Sequence, residues 1–280
     1  KLRVAVLGVG YLGRFHALIY SRHPQVELVA VLDPDAERCR QVAAEAGCQV
    51  CSDPQWLAGQ VDAVSVVAPT SLHLQVARPF LQRGVHVLME KPIAGDLAEG
   101  GELVDLAKVS GSVLQIGHLE RFNAGVMALA ERISAPRFIE AHRMSPFVAR
   151  ATDVDVIADL MIHDIDIILS LVGAEIAQIS AVGSPVLTPH IDIANARLEF
   201  TNGTVANVIA SRVSREKMRK IRVFEPTRYQ ALDFNAQTLD LVYPREQADE
   251  PWPEIVTERL DIEPVKPLDA EIDHFVRCIR

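Results

Sequence analysis

Several groups of residues in this chain have types and spacings that carry chemistry. The first is Gly8-Val9-Gly10-Tyr11-Leu12-Gly13, which follows the apolar run Leu2 to Leu7. Arg14 to Ser21 then reads as a helix, and a second apolar run, Glu27 to Leu32, ends in Asp33, twenty residues after Gly13. A strand, a glycine turn, a helix and an acid at the end of the next strand together form the arrangement that holds a dinucleotide. Gly8 permits the tight turn, Gly10 lets the backbone approach a pyrophosphate, and Gly13 lets helix and strand pack closely. The N–H groups that open the helix then face the phosphates. Asp33 accepts hydrogen bonds from the adenosine ribose hydroxyls and repels a 2′-phosphate. Pro34-Asp35 supplies no compensating base, so the pattern favours NAD over NADP.

The second group stands at the ends of later apolar runs. Ala63 to Ala68, Val85 to Met89 and Ser112 to Ile116 read as strands, separated by helical segments such as Leu72 to Arg83 and Leu97 to Lys108. They end in Pro69-Thr70-Ser71-Leu72-His73, in Glu90-Lys91-Pro92, and in Gly117-His118-Leu119-Glu120-Arg121-Phe122-Asn123. In an open parallel sheet, ligands sit outside the carboxyl ends of the strands, which is where these residues fall. Pro69, Thr70 and His73 are candidates for the nicotinamide side. For His73 the competing reading is a histidine at a helix start with no ligand.

The third group is Asp159 and His163, four apart on a helix expected over Val154 to Val172 and stopped by Gly173. That spacing puts both on one face, for chemistry or for a local hydrogen bond. Two ligands are too few for a metal site, and no metal is expected. Asp164 and Asp166 read as polar residues on a solvated face. A fourth group, Arg212, Arg215, Lys217, Arg219, Lys220 and Arg222, is the only basic cluster in the chain. It is either a solvated loop between strands or a site for the two charges of a pyrophosphate, which suits Arg forks.

The elements that must position these groups divide the chain in two. At 280 residues it is long enough for two domains. Up to about residue 120 the strand and helix alternation describes a doubly wound parallel sheet, an α/β NAD-binding domain of Rossmann type. Residues 121–280 change period. Arg137 to Arg143, Ile176 to Gly183, Asp192 to Phe200, Thr204 to Arg212, Ile221 to Phe224, Tyr229 to Phe234 and Leu239 to Tyr243 read as strands joined by short loops. Asn202-Gly203 favours a type I′ hairpin turn. The second domain is therefore expected as α+β with a large, mostly antiparallel sheet. Asp269 to Arg280 reads as an amphipathic helix whose pattern is still running at the last residue, which suggests a natural chain that continues further.

Composition narrows the function. The apolar fraction is 49% and the formal net charge −9, against the balance of a nucleic-acid binder. Apolar runs are interrupted well before the roughly 20 residues of a membrane span. The chain enters a strand at once, leaving no room for a signal peptide, and a cytoplasmic location is expected. Cys48 and Cys51 form a CxxC with no second pair to complete a zinc site, so these two, with Cys39 and Cys278, read as reduced thiols.

The glycine turn, Glu90-Lys91-Pro92 and Asp159-Leu160-Met161-Ile162-His163 together resemble the Gfo/Idh/MocA oxidoreductases over essentially the whole chain. Within that family, Gly117 to Asn123, the run Asp153 to Val172, and Ser211 to Lys220 are most similar to bacterial UDP-N-acetylglucosamine 3-dehydrogenases. Ala124 departs from the proline expected after Asn123. The resemblance implies oxidation of a sugar 3-hydroxyl to a ketone, which a partner aminotransferase converts to an amine for lipid A. It also implies a homodimer or homotetramer built on the second domain's sheet.

The resemblance places Lys91, His163 and Asp159 at the reacting centre. An unperturbed histidine titrates near 6.5 and a lysine near 10.4, which suits His163 to proton transfer and Lys91 to donating a hydrogen bond at the developing alkoxide. The converse assignment, with Lys91 moving the proton, stays open. Asp159 orients its partners, and Glu90 orients rather than reacts. The resemblance implies that Pro92 fixes the turn, through a bond that is either cis, as in relatives, or trans, the commoner X-Pro state. His118, Arg121 and Asn123, then Arg212 and Arg215, are the substrate-side candidates, with Arg143 and Asn195 behind them. The rivals are another sugar or inositol dehydrogenase or an aldose–aldose oxidoreductase of the family, and a non-catalytic NAD sensor or scaffold. A nucleic-acid-binding regulator is opposed by the charge.

Overall fold

Short β-branched runs bounded by glycine and proline become strands, and the first is β1 (Leu2–Leu7), buried along most of its length as a central parallel strand must be. The computed structural model describes residues 1–148, 154–247, 251–263 and 265–280; Asp153, at the head of one run quoted above, lies outside them. The chain divides into one unit of residues 1–119 with 266–280, and a second of residues 120–265.

The first unit holds β1, β2 (Val26–Leu32), β3 (Gln49–Val50), β4 (Ala63–Val66), β5 (His86–Glu90) and β6 (Leu114–Gly117). They form one parallel sheet in the order β3-β2-β1-β4-β5-β6. The order reverses at β1, so the switch point lies at the carboxyl ends of β1 and β4. Between the strands run α1 (Tyr11–Arg22), α2 (Ala36–Ala46), α3 (Pro54–Leu57), α4 (His73–Leu81) and α5 (Leu97–Ser110). Asp35, Asp53 and Asp96 cap α2, α3 and α5 by accepting their first N–H groups.

The second unit opens with α6 (Ala124–Ala130) and β7 (Phe138–Met144). A π-helical turn, Ile157–Met161, leads into α7 (Ile162–Val172), which stops at Gly173 in the left-handed region. There follow β8 (Ile176–Ser184), β9 (Ile193–Phe200), β10 (Val205–Ser211), β11 (Met218–Glu225), β12 (Arg228–Asp233), β13 (Thr238–Arg245) and β14 (Glu254–Asp261). The sheet order is β14-β13-β12-β11-β7-β10-β9-β8. Only β7 and β10 pair in parallel; the other neighbours are antiparallel. Alternating residues of β7, β9, β10 and β11 point into a core completed by Met161, Ile167 and Ile168 of the helical segment.

Three expectations are corrected. The last helix, α8 (Pro267–Ile279), belongs to the first unit, so a single division near residue 120 misplaces it. Its Ile272, Phe275 and Val276 bury among Val4, Val6, Ala17 and Tyr20, a contact set by the whole chain path. The Asn202-Gly203 turn is not type I′. Gly203 N–H donates to Phe200 O, and Gly203 alone of the two takes positive φ, which is a type I turn closed by a glycine bulge. The helix over Val154 to Val172 is not uniform either, because its first part is the π turn that carries Asp159.

Candidate active site

The glycine turn is built as its spacing requires. Gly8 has φ +88°, and a Cβ there would meet Val67 O at 2.5 Å. A Cβ on Gly13 would sit 1.9 Å from Gly8 O, so helix and turn touch backbone to backbone. Nothing lies within 4 Å of a Cβ placed on Gly10. Gly10 is the N-cap of α1, and among the described residues no side chain bonds to that cap. The turn therefore presents open backbone and unclaimed helix N–H groups where a pyrophosphate would lie, and the residues fit an NAD cofactor.

Asp33 closes the turn from the side. Its Oδ2 accepts Val9 N–H at 2.8 Å, and Oδ1 accepts Asp35 N–H and Arg38 Nη2, each at 2.9 Å. Burial alone would raise this carboxyl, but the bonds from Arg38, Asp35 and Val9 hold it below the usual range. Arg38 is the base that Pro34-Asp35 does not supply; one turn into α2 brings it back over Asp33. Close by, Leu7 and Leu32, at the ends of β1 and β2, line a cavity of about 370 Å³ with Gln55, Gln75 and Gln82.

Pro69 and Thr70 follow β4 in a 3-10 turn that runs into α4. His73 is 1% exposed. Its Nε2 lies 3.0 Å from Ala68 O and its Nδ1 3.2 Å from Ile93 O. The ring therefore ties the segment after β4 to the segment after β5, and its own nitrogens are occupied by backbone. Between those anchors the Lys91-Pro92 peptide is cis. Glu90 Oε1 lies 3.3 Å from His16 Nε2. The Gly turn, Asp33, the Pro69-Thr70 segment, Glu90 and Lys91 thus share one carboxyl edge of the parallel sheet, and His118 follows β6 at the same edge.

In the second unit, Asp159 and His163 stand at successive turns of one helical segment, Asp159 in the π turn and His163 at the start of α7. Both are half-buried. Sequence spacing carried no sign of the π turn. Asp164 and Asp166 are not solvated: they are 2% and 6% exposed. Arg143 donates to Asp164 through Nε at 2.8 Å and Nη2 at 2.7 Å. Arg121 donates to Asp166 the same way, at 2.7 and 2.6 Å. Two forked ion pairs therefore seat the helix that carries His163. Their partners lie 21 and 45 residues away, which no local pattern reveals.

Several substrate-side candidates make structural contacts of their own. Asn123 caps α6, its Oδ1 accepting Gly125 N–H at 2.9 Å. Ala124 is thus the first helical residue, a position that proline and alanine both suit. Arg212 is 5% exposed and donates to Asp192 Oδ1 at 2.8 Å and to the backbone oxygens of Val154 and Ile191. It is a core arginine, not part of an open loop. Arg219 and Lys220 belong to β11 with Arg222, and pair with Glu120, Asp233 and Glu140 respectively. Arg215 and Lys217, on the turn before β11, are exposed. Asn195 lies exposed on β9.

Residues 2–118 match the family model described as "Oxidoreductase family, NAD-binding Rossmann fold", and residues 129–225 match "GFO/IDH/MocA C-terminal domain". The chain is 43% identical over 280 residues to a UDP-N-acetylglucosamine 3-dehydrogenase of Acidithiobacillus ferrooxidans, covering 99% of this chain and 88% of that one. It is 31% identical over 233 residues to a scyllo-inositol 2-dehydrogenase (NAD(+)) of Bacillus subtilis, covering 76% and 68%. A solved structure of the Acidithiobacillus protein matches with TM-score 0.92 at 42% identity, over 99% of this chain and 88% of that one. A levoglucosan dehydrogenase in complex with NADH and L-sorbose shares the fold, with TM-score 0.84 at 19% identity over 100% and 89%. Among the described residues no helix is long and apolar enough to cross a membrane.

Proposed function

This chain belongs to the GFO/IDH/MocA oxidoreductase family, and from that premise we propose that it oxidises the 3-hydroxyl of UDP-N-acetylglucosamine to the ketone with NAD⁺. The observation that carries this reading is the likeness, over nearly the full length, to an enzyme of that name. Bound NAD⁺ supplies the hydride acceptor. Gly8 to Gly13 and Asp33 hold its phosphates and ribose, with Pro69, Thr70, Glu90 and Lys91 on the nicotinamide side.

His163 takes the proton from the substrate hydroxyl, and Asp159 orients it or holds a neighbouring hydroxyl. Lys91 donates a hydrogen bond to the oxygen as alkoxide character develops. Arg215 and Lys217 suit the pyrophosphate, since they are the cations of the basic cluster that stand exposed on a turn. His118 belongs to the sugar side; Arg121, Asn123 and Arg212 support that side from behind through Asp166, α6 and Asp192. The product ketone is a substrate for an aminotransferase, as in a lipid A branch. A cytoplasmic location and a homo-oligomer built on the eight-stranded sheet complete the reading.

A second reading has its own support: the inositol dehydrogenase relatives make oxidation of a free cyclitol or sugar the alternative reaction. The test is reduction of NAD⁺ with a panel of UDP-sugars, free sugars and inositols, with an amine trap or 2-oxo-acid recycling to draw the equilibrium. Reduction with UDP-N-acetylglucosamine, abolished in His163→Ala and weakened through KM in Arg215→Glu, supports the proposal. Reduction with free sugars or inositols alone overturns it in favour of the second reading, and tight NAD binding without reduction favours a sensor.

A further inference from the structure

Inside the first unit lies a cluster of polar side chains of which the proposed reaction uses Glu90 alone. His16 Nδ1 and the Tyr20 hydroxyl, both from α1, lie 3.2 and 2.8 Å from Ser65 Oγ on β4. His16 Nε2 lies 3.3 Å from Glu90 Oε1 at the end of β5. The Glu90 carboxyl rests on Gly117, where a Cβ would stand 3.0 Å from Oε1. The last helix adds another member. Glu271 is 0% exposed, and among the described residues neither of its carboxyl oxygens meets a hydrogen-bond partner. Its backbone oxygen accepts Gln115 Nε2 at 3.3 Å, which fixes α8 against β6, the neighbour of β5.

A buried carboxylate with no donor is far costlier than a neutral carboxyl, and two carboxylates in one buried cluster do not both ionise cheaply. We propose that Glu271 is a positioning residue for Glu90-Lys91-Pro92: it stays protonated at neutral pH and leaves Glu90 the single negative charge of the cluster, held between His16 and Gly117. The inference rests on the reading of Lys91 as a catalytic group. Burial pushes the Glu271 carboxyl up to about 8, and the charge of Glu90 adds to the effect. The Tyr20 phenol is pushed up too, by burial first and further by Glu271, against the bond from Ser65. The titratable groups that act with Glu271 are Glu90 from β5 and Tyr20 from α1, and His16 of α1 stands beside Glu90. Ser65 and Gln115 are neutral, and His274 on α8 is engaged with Gln115 Oε1 at 2.9 Å. When Glu271 ionises, its charge repels Glu90, and the segment holding Lys91 shifts with it.

The test is a pH titration of the carboxyl carbons in ¹³C-glutamate-labelled protein, wild type against Glu271→Gln, with NAD⁺ affinity followed by protein fluorescence over the same range. One carboxyl is expected to remain protonated at neutral pH and to vanish in the variant. Wild-type NAD⁺ affinity is expected to fall about tenfold between neutral pH and about pH 9, and that of Glu271→Gln to stay flat. All carboxyls ionised at neutral pH, or parallel affinity curves for the two proteins, overturns the proposal. Neither readout involves a sugar, so failure here is distinct from failure of the proposed substrate.

Discussion

The carboxylate of Asp33 accepts the N–H of Val9 at 2.8 Å, so the acid at the end of β2 holds the glycine turn in shape, beside the role toward the cofactor ribose proposed for it. Losing it removes a charged acceptor from a backbone donor, which costs roughly 1.5–3 kcal/mol. Asp33→Ala is expected to weaken NAD⁺ binding about 10- to 100-fold, with little change in kcat at saturating cofactor. Calorimetric titration with NAD⁺ measures the first and steady-state kinetics the second; an unchanged affinity refutes the role.

Gly10 and Gly13 separate two uses of glycine. Gly13→Ala drives a methyl to 1.9 Å from Gly8 O and should unfold the cofactor unit or strongly lower its melting temperature. Gly10→Ala meets no protein atom within 4 Å, so it should melt like the wild type while losing NAD⁺ affinity. Thermal melts with and without NAD⁺ distinguish the two.

Arg143 and Asp164 form a buried forked pair, and removing Asp164 leaves the buried Arg143 only the longer contact to Glu120 at 3.7 Å. Asp164→Ala is expected to destabilise by about 3–5 kcal/mol, read as a lower urea midpoint. The double variant Arg143→Met with Asp164→Leu should recover much of the loss. A double variant no more stable than the single one shows that the pair does more than neutralise itself.

Glu271 makes stability fall with rising pH. Its folded value, about 8, lies above the ordinary carboxyl range, so its contribution is complete below about pH 4 and is lost as pH rises to about 8. Glu271→Gln should flatten that slope and be more stable than wild type at about pH 9, by on the order of 2 kcal/mol. Urea titrations across this range decide it; an equal slope in both proteins counts against a protonated Glu271.

Glu225 gives the opposite sign. Burial would raise it, but N–H bonds from Ala135 and Ser134, with Arg228, hold it down at about 2. Its contribution is present above about pH 4.3 and fades as pH falls toward about 2. In Glu225→Gln the acid limb of stability should be shallower, as followed by circular dichroism during acid titration.

What the sequence determined by itself were the features set by neighbours along the chain. Gly8 to Gly13, the apolar runs that became β1, β2 and β4, and the acid ending β2 all act within about 30 residues, where spacing translates directly into geometry. Lys91 was visible at a strand end, and Asp159 with His163 by helical spacing, though not the π turn between them. Tertiary structure decided the rest, because it depends on partners that arrive from far along the chain. Arg143 and Arg121 turn Asp164 and Asp166 from surface acids into buried anchors. Asp192 withdraws Arg212 from any loop, and β11 begins early enough to take Arg219, Lys220 and Arg222 into ion pairs. The last helix returns to the first unit because Ile272, Phe275 and Val276 find their apolar cover there, and that return is what buries Glu271. Burial and charge pairing are properties of assembled surfaces, and no local pattern of residue types encodes them.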